Sequence, residues 1–125
     1  MEPLQFSPSP KTPEINFDSE VGILEIKGKI YPENPKEFFG PVLTWADAYL
    51  KKPANRTELL LHLDYINSSS NEYVFRICKL IENLSINEFD ASITWKFESD
   101  DEDMMQLGED YKALLKINFN LIAVN

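Results

Sequence analysis

The sequence predicts a single α/β domain in which strands and helices follow in the order β-β-α-β-α-β-α-β. Three observations support this. The chain has 125 residues, the usual length of one domain. Apolar runs of strand length alternate with stretches of helical periodicity, and the helical stretches follow residues that favour a helix N-terminus. We therefore expect a mixed sheet that is largely parallel after a first hairpin, with the helices packed on it.

The N-terminal stretch differs in composition from the rest of the chain. Residues 1–13 carry four of the eight prolines among small polar residues, which predicts a flexible tail ahead of one domain at 14–125. The segment "EINFDSEVGILEIKGKIY" then contains two strand-like runs around a turn near Asp18–Gly22. Leu24 and Ile26 fall on one face of the second run, as expected for a hairpin.

The first helix has a clear start. Asn34 suits the N-cap, Pro35 the first helical position and Glu37 the capping-box position. The apolar residues that follow recur at helical spacing and should face the sheet: Phe39, Val42, Leu43, Ala46 and Leu50. Next, "TELLLHLDYI" is nearly all apolar, which predicts a central strand covered on both faces. Its histidine, His62, is then expected to be a hydrogen-bonded core residue.

The remaining elements follow the same alternation. A helix carries Val74, Ile77, Cys78, Ile81 and Leu84 on one face, in line with Ser70, and ends near Asn87. "ASITWKFES" predicts a strand, and Ser99 with Glu102 forms a capping box for a third helix. "KINFNLIAVN" supplies the last strand. Ligand sites in such sheets gather at the carboxyl ends of strands, and "INSSSNE" occupies such a place.

Charge and composition exclude several classes of function. The net charge of −9 repels phosphate backbones and anionic lipid, so we expect neither nucleic-acid nor membrane binding. One cysteine, Cys78, leaves no internal disulfide and no cysteine-based metal cluster. No secretory signal and no apolar run of membrane-spanning length is visible, so the expected location is the cytoplasm.

The three serines at 68–70 have three candidate roles. Ser69, followed three residues later by Glu72, predicts a capping box, which would leave Ser68 one residue outside the helix. A nucleophile is disfavoured, because no glycine flanks Ser68 and the one histidine lies six residues upstream in the same strand. A phosphorylation site is favoured physically, because a helix N-terminus offers free N–H groups and a positive dipole end to a phosphate.

No metal or cofactor is predicted. The acidic run from Glu98 to Asp103 lacks the D-x-D-x-D-G spacing and distal glutamate of a calcium loop. Acidic residues in a first helical turn are favoured by the helix dipole, so this run is expected to be a solvated helix start.

Three segments resemble the SiaC family of bacterial regulatory phosphoproteins. They are "TPEINF", "GILEIKGKIYPENPKEFFGPVLTWADAYL" and "LDYINSSSNEYVFRICKLIENL", so the likeness begins near Thr12 and covers most of the chain. Its most specific elements are the segments Tyr31–Asn34 and Asn67–Ser70. Two positions depart from the family pattern: serine stands at 68 where typical members have threonine, and Ile30 replaces a small polar residue.

The resemblance implies a STAS-like fold, similar to anti-sigma factor antagonists, and a phosphorylated hydroxyl directly after Asn67, which is Ser68. It also implies a protein serine/threonine kinase, a metal-dependent serine/threonine phosphatase and a signalling target. That target resembles a diguanylate cyclase, which makes cyclic di-GMP.

The expected function is therefore a cytoplasmic, non-enzymatic partner-switching regulator. Its unphosphorylated form binds the target, and phosphoserine at position 68 releases it. Asn67, Ser69, Ser70 and Glu72 are expected to shape the switch loop and partner-binding surface, together with the helix from Ser70 to Leu84. Two alternatives stay open at this point: a STAS-like domain that binds a small molecule, and, less favoured, a hydrolase that uses Ser68.

Overall fold

The computed structural model describes all residues, 1–125, and contains one six-stranded sheet and three helices. In chain order the elements are β1 (Leu4–Phe6), β2 (Glu14–Asp18), β3 (Ile23–Ile30), α1 (Pro35–Lys51), β4 (Arg56–Ile66), α2 (Ser68–Ile86), β5 (Asp90–Glu98), α3 (Glu102–Leu114) and β6 (Asn118–Val124). The predicted α/β class and the order from β2 onward are confirmed. No helix is both long enough and apolar enough to cross a membrane.

The strands lie side by side in sequence order. β1, β2 and β3 pair antiparallel, and β3 to β6 pair parallel. Because consecutive right-handed crossovers advance in one direction across the sheet, all three helices pack on the same face. The buried rows on that face run straight across the strands: Ile15, Ile26, Leu61 and Trp95 in one, and Phe17, Leu24, Leu59, Ile93 and Phe119 in the next.

The opposite face of the sheet has no helix on it, which corrects the prediction for β4. Leu59, Leu61 and Leu63 are buried under the helices, whereas Leu60 and His62 on the other face are only partly buried. The apolar run indicated burial on both faces, but the sequence-ordered arrangement of strands leaves one face open. His62 is hydrogen-bonded, as predicted, but it is not a core residue.

The N-terminal stretch is more ordered than predicted. Leu4 and Phe6 pair with Phe17 and Ile15 of β2, and the ring of Phe6 meets that of Phe38 edge-on at 5.9 Å. Leu4 and Phe6 thus pack against the rest of the domain, although prolines surround them in the sequence. The prediction of a flexible tail over residues 1–13 is therefore wrong for Leu4–Phe6.

The helix starts agree with the sequence in one case and differ in another. Asn34 caps α1, accepting a hydrogen bond from the Glu37 N–H at 3.2 Å. α3 is capped by Asp101, whose Oδ1 accepts from the Met104 N–H at 3.0 Å. Ser99, predicted to be this cap, instead donates its hydroxyl to Asn125 Oδ1 at 2.9 Å. A carboxylate is a stronger acceptor at the positive end of a helix.

Candidate functional site

The candidate site lies at the carboxyl end of β4, where α2 begins one residue after the strand. Asn67 is the N-cap of α2, and its Oδ1 accepts a hydrogen bond from the Ser70 N–H at 3.0 Å. The Asn67 backbone N–H donates to the carbonyl of Ile30 at 3.0 Å. This bond ties the corner to the end of β3, so the two segments that carry the family resemblance lie side by side.

The predicted capping box of Ser69 and Glu72 is wrong. Asn67 fills the cap, so α2 begins at Ser68, which is the first helical residue rather than one outside the helix. Ser68 and Ser69 are both exposed. Neither hydroxyl is therefore needed to start the helix, and both are open to modification.

Ser70 is in a different environment from its two neighbours. It is 0% exposed, and its hydroxyl is buried with no hydrogen-bond partner. It lies on the same stripe as Val74 and Ile77, which face the sheet. Ser70 therefore shapes the helix start through packing and is out of reach of a modifying enzyme.

α3 is fastened to the first turn of α2. The Tyr111 hydroxyl donates to the backbone carbonyl of Asn71 at 3.1 Å and also contacts the Asn71 side-chain oxygen. Burial raises the pKa of the Tyr111 phenol, so it stays a donor. Beside this contact runs a groove of about 330 Å³, lined by Asn71, Glu72, Phe75, Leu107, Asp110, Tyr111 and Leu114. Glu72 is exposed at its edge, next to the serines.

Aromatic and charged residues lie on the elements that meet at Asn67 and Ser68. Tyr31 and Tyr65, at the ends of β3 and β4, meet edge-on at 5.6 Å, and Tyr65 is 50% exposed. The guanidinium of Arg76 lies over the Tyr73 ring, 5.2 Å from its centre. Arg76 is thus engaged two turns into α2, and a phosphate on Ser68 would depend on backbone N–H groups and the helix dipole. The pairing of Tyr31 with Tyr65 had no signal in the sequence.

The nucleophile alternative has no support in the geometry. His62, the only histidine in the chain, lies on the helix-free face, and its Nε2 contacts Glu98 Oε2 at 2.9 Å. It therefore does not form the hydrogen bond to a serine hydroxyl that a general base requires. In the acidic run, Asp101 is used as the α3 cap.

The fold and site define a class: a small α/β domain that presents an exposed serine hydroxyl at the start of a helix. The sequence model of the SiaC family, whose members are described as regulatory phosphoproteins, matches residues 6–124. The chain belongs to the SiaC family.

Individual relatives agree with this assignment. A protein of Pseudomonas aeruginosa (strain UCBPP-PA14) is 31% identical over 112 residues, covering 90% of this chain and 89% of the relative. The structure of SiaC of P. aeruginosa is similar with a TM-score of 0.90 and 28% identity, covering 99% of this chain and 100% of that one. Another similar structure is the crystal structure of diguanylate cyclase SiaD in complex with its activator SiaC from P. aeruginosa. The similarity has a TM-score of 0.91 and 30% identity, and it covers 97% of this chain and 99% of the matched chain.

Proposed function

We propose that this chain is a partner-switching regulator controlled by phosphorylation of Ser68. In its unmodified form it binds and regulates a diguanylate cyclase, and phosphorylation releases that target. The observation that carries the proposal is the exposed hydroxyl of Ser68 at the first position of α2, left free because Asn67 caps the helix. The complex of SiaD with its activator SiaC supports the choice of target.

The helix start explains how a phosphate is tolerated there. The first backbone N–H groups of α2 and its dipole attract an anion, so the fold accommodates the group without a dedicated basic side chain. The modification adds a charge of about −1.5 to −2 at neutral pH. That charge falls on a surface already made acidic by Glu72 and Asp110, in a chain of net charge −9. An electronegative partner surface would then be repelled, and an apolar one could be bound only at the cost of desolvating the phosphate.

The proposal needs two modifying enzymes and no catalysis by this chain. A protein serine/threonine kinase adds the phosphate, and a metal-dependent serine/threonine phosphatase removes it. The docking surface comprises Asn67, Ser69 and Glu72 with the groove between α2 and α3, while buried Ser70 supports it from below. The cytoplasm, where nucleotide substrates of a cyclase are found, is the proposed location.

The test is co-expression with a kinase that modifies SiaC-family proteins, followed by intact mass measurement. One added phosphate is expected on the parent chain and on Ser69→Ala, and none on Ser68→Ala. Ser69 is a matched control because it is adjacent and equally exposed. Phosphate on Ser68→Ala, or its loss only in Ser69→Ala, would show that another residue is the acceptor.

A binding assay tests the switch itself. Ser68→Asp should weaken binding to the cyclase at least tenfold, whereas Ser68→Ala should keep it, because only the first adds charge. The thermal midpoints of both variants should stay close to that of the parent. If Ser68→Asp binds as well as Ser68→Ala, charge at this position does not control the partner.

A further inference from the structure

The helix-free face of the sheet carries a cluster of three side chains with metal-binding atoms. His62 and Asp64 project from the end of β4, and Glu98 from the end of β5. One ligand atom of each lies within 4.8 Å of the other two. Within the cluster, His62 Nε2 and Glu98 Oε2 are 2.9 Å apart. This cluster takes no part in the function proposed above.

The strand register builds the cluster. Residues two apart on a strand face the same side, so His62 and Asp64 share the open face. β4 and β5 pair in parallel as far as His62 opposite Lys96, and the pairing of β3 with β4 shifts register at Asp64, between Leu63 and Tyr65. Just beyond that last pair, the carboxylates of Asp64 and Glu98 come within 4.8 Å of each other, and two carboxylates this close on neighbouring strands repel. The chain therefore holds like charges together at this point.

No lysine or arginine forms an ion pair within 4.0 Å of either carboxylate. Lys27 and Lys96 flank His62 in the register, but the only ion pair within 4.0 Å that involves Asp64 or Glu98 is the one with His62. The His62 side chain is 19% exposed, so charges here are less screened than on an open surface. A cation bound between the three side chains would remove the repulsion.

We propose that His62, Asp64 and Glu98 bind a divalent first-row transition metal ion, with Zn²⁺ as the best fit. An imidazole nitrogen and two carboxylate oxygens are ligands that zinc accepts, at about 2.0–2.2 Å. Tetrahedral bonds of that length hold ligand atoms about 3.4 Å apart. The three ligand atoms now lie within 4.8 Å of one another. Because Asp64 is exposed, a small rotation of its side chain can bring its carboxylate to the spacing that zinc requires. The imidazole disfavours Mg²⁺ and Ca²⁺, which prefer all-oxygen sites.

The test uses the full chain without a histidine tag, titrated with ZnCl₂. His62 is the only histidine, so its imidazole NMR signals report on the site without ambiguity. One equivalent of Zn²⁺ should shift those signals, and calorimetry should show one site. Asp64→Asn and Glu98→Gln should each weaken binding by about tenfold or more, because each removes a ligand oxygen. MgCl₂ at the same concentration should leave the imidazole signals in place.

Asp103→Asn is the matched control, because Asp103 belongs to the other acidic surface, formed by residues 100–103. Its zinc affinity should equal that of the parent chain. The proposal is overturned if Zn²⁺ leaves the imidazole signals unshifted. It is also overturned if Asp64→Asn and Glu98→Gln both bind zinc as tightly as the parent chain.

Discussion

At the scale of single residues, three consecutive serines occupy two kinds of environment. Each step along a helix turns the side chain by about 100°. Ser68 and Ser69 therefore face solvent at the start of α2, while Ser70 turns inward and is fully buried. Exposure, not residue type, distinguishes the proposed acceptor from its neighbours.

The buried hydroxyl of Ser70 leads to a stability prediction. An unpaired buried polar group costs about 1–3 kcal/mol, so Ser70→Ala should raise the free energy of unfolding by about 1 kcal/mol. Ser69→Ala is the control, because it gains the same helix propensity without removing a buried group. Urea unfolding measures both. A loss of stability in Ser70→Ala relative to Ser69→Ala would mean that the hydroxyl has a partner in the folded protein.

The sequence predicted the position of the site but not its details. Asn67 and Ser68 could be placed at the end of an apolar strand, because strand and helix periodicities change there. The cap was misassigned because asparagine and serine are almost equally good N-caps, and a helix start is uncertain by one or two residues. The cluster at His62 could not be foreseen, because Glu98 lies 36 residues further along the chain and the register brings it close.

At the scale of elements, periodicity predicted every helix and all strands but one. Apolar stripes at helical spacing identified α1 and α2, since these faces must be buried against the sheet. β1 escaped prediction because three residues are too few to show a pattern among prolines. The prediction that β4 is buried on both faces was wrong for another reason. An apolar run does not show on which face of the sheet the connecting helices pack.

Gly108 provides a test of packing between elements. It lies inside α3, where glycine weakens a helix, yet an added Cβ would come within 2.5 Å of Leu121 Cδ2 and 2.6 Å of the Trp95 indole. Overpacking of this kind costs about 1–3 kcal/mol and outweighs the gain of about 1 kcal/mol in helix propensity. Gly108→Ala should therefore lower the thermal midpoint.

A second substitution checks the cause of that loss. Leu121→Val shortens the side chain nearest to the added Cβ, so Gly108→Ala should cost less in the Leu121→Val background than in the parent chain. If Gly108→Ala raises the thermal midpoint, α3 lies further from Leu121 and Trp95 than these distances require.

At the scale of the whole molecule, stability should depend on the ionised form of Glu82. This buried carboxylate accepts a hydrogen bond from the Lys116 backbone N–H at 2.6 Å and pairs with Lys79 Nζ at 2.8 Å. The Lys116 hydrogen bond, and then Lys79, lower the pKa of Glu82 below its usual value. Glu82 thereby joins α2 to the segment that leads into β6.

The sign of the pH effect follows from that lowered pKa. The stabilisation is present above the unfolded pKa of about 4.3 and is lost as the pH falls through the lower folded value. Glu82→Gln should therefore lower the free energy of unfolding by about 1–3 kcal/mol at pH 7. The difference from the parent chain should shrink at pH 3.5. Urea unfolding at both pH values checks this, with exposed Glu109→Gln as the control. An equal loss at both pH values would contradict it.

The direct passage from β4 into α2 has a consequence for molecular recognition. Ser68 follows the last strand residue, Ile66, by only two positions, and it is already helical. An enzyme that acts on this hydroxyl meets a rigid corner held by Asn67, not a flexible strip of chain. A short synthetic peptide that copies the serines would lack that corner, so it would be a poor surrogate substrate for the intact protein.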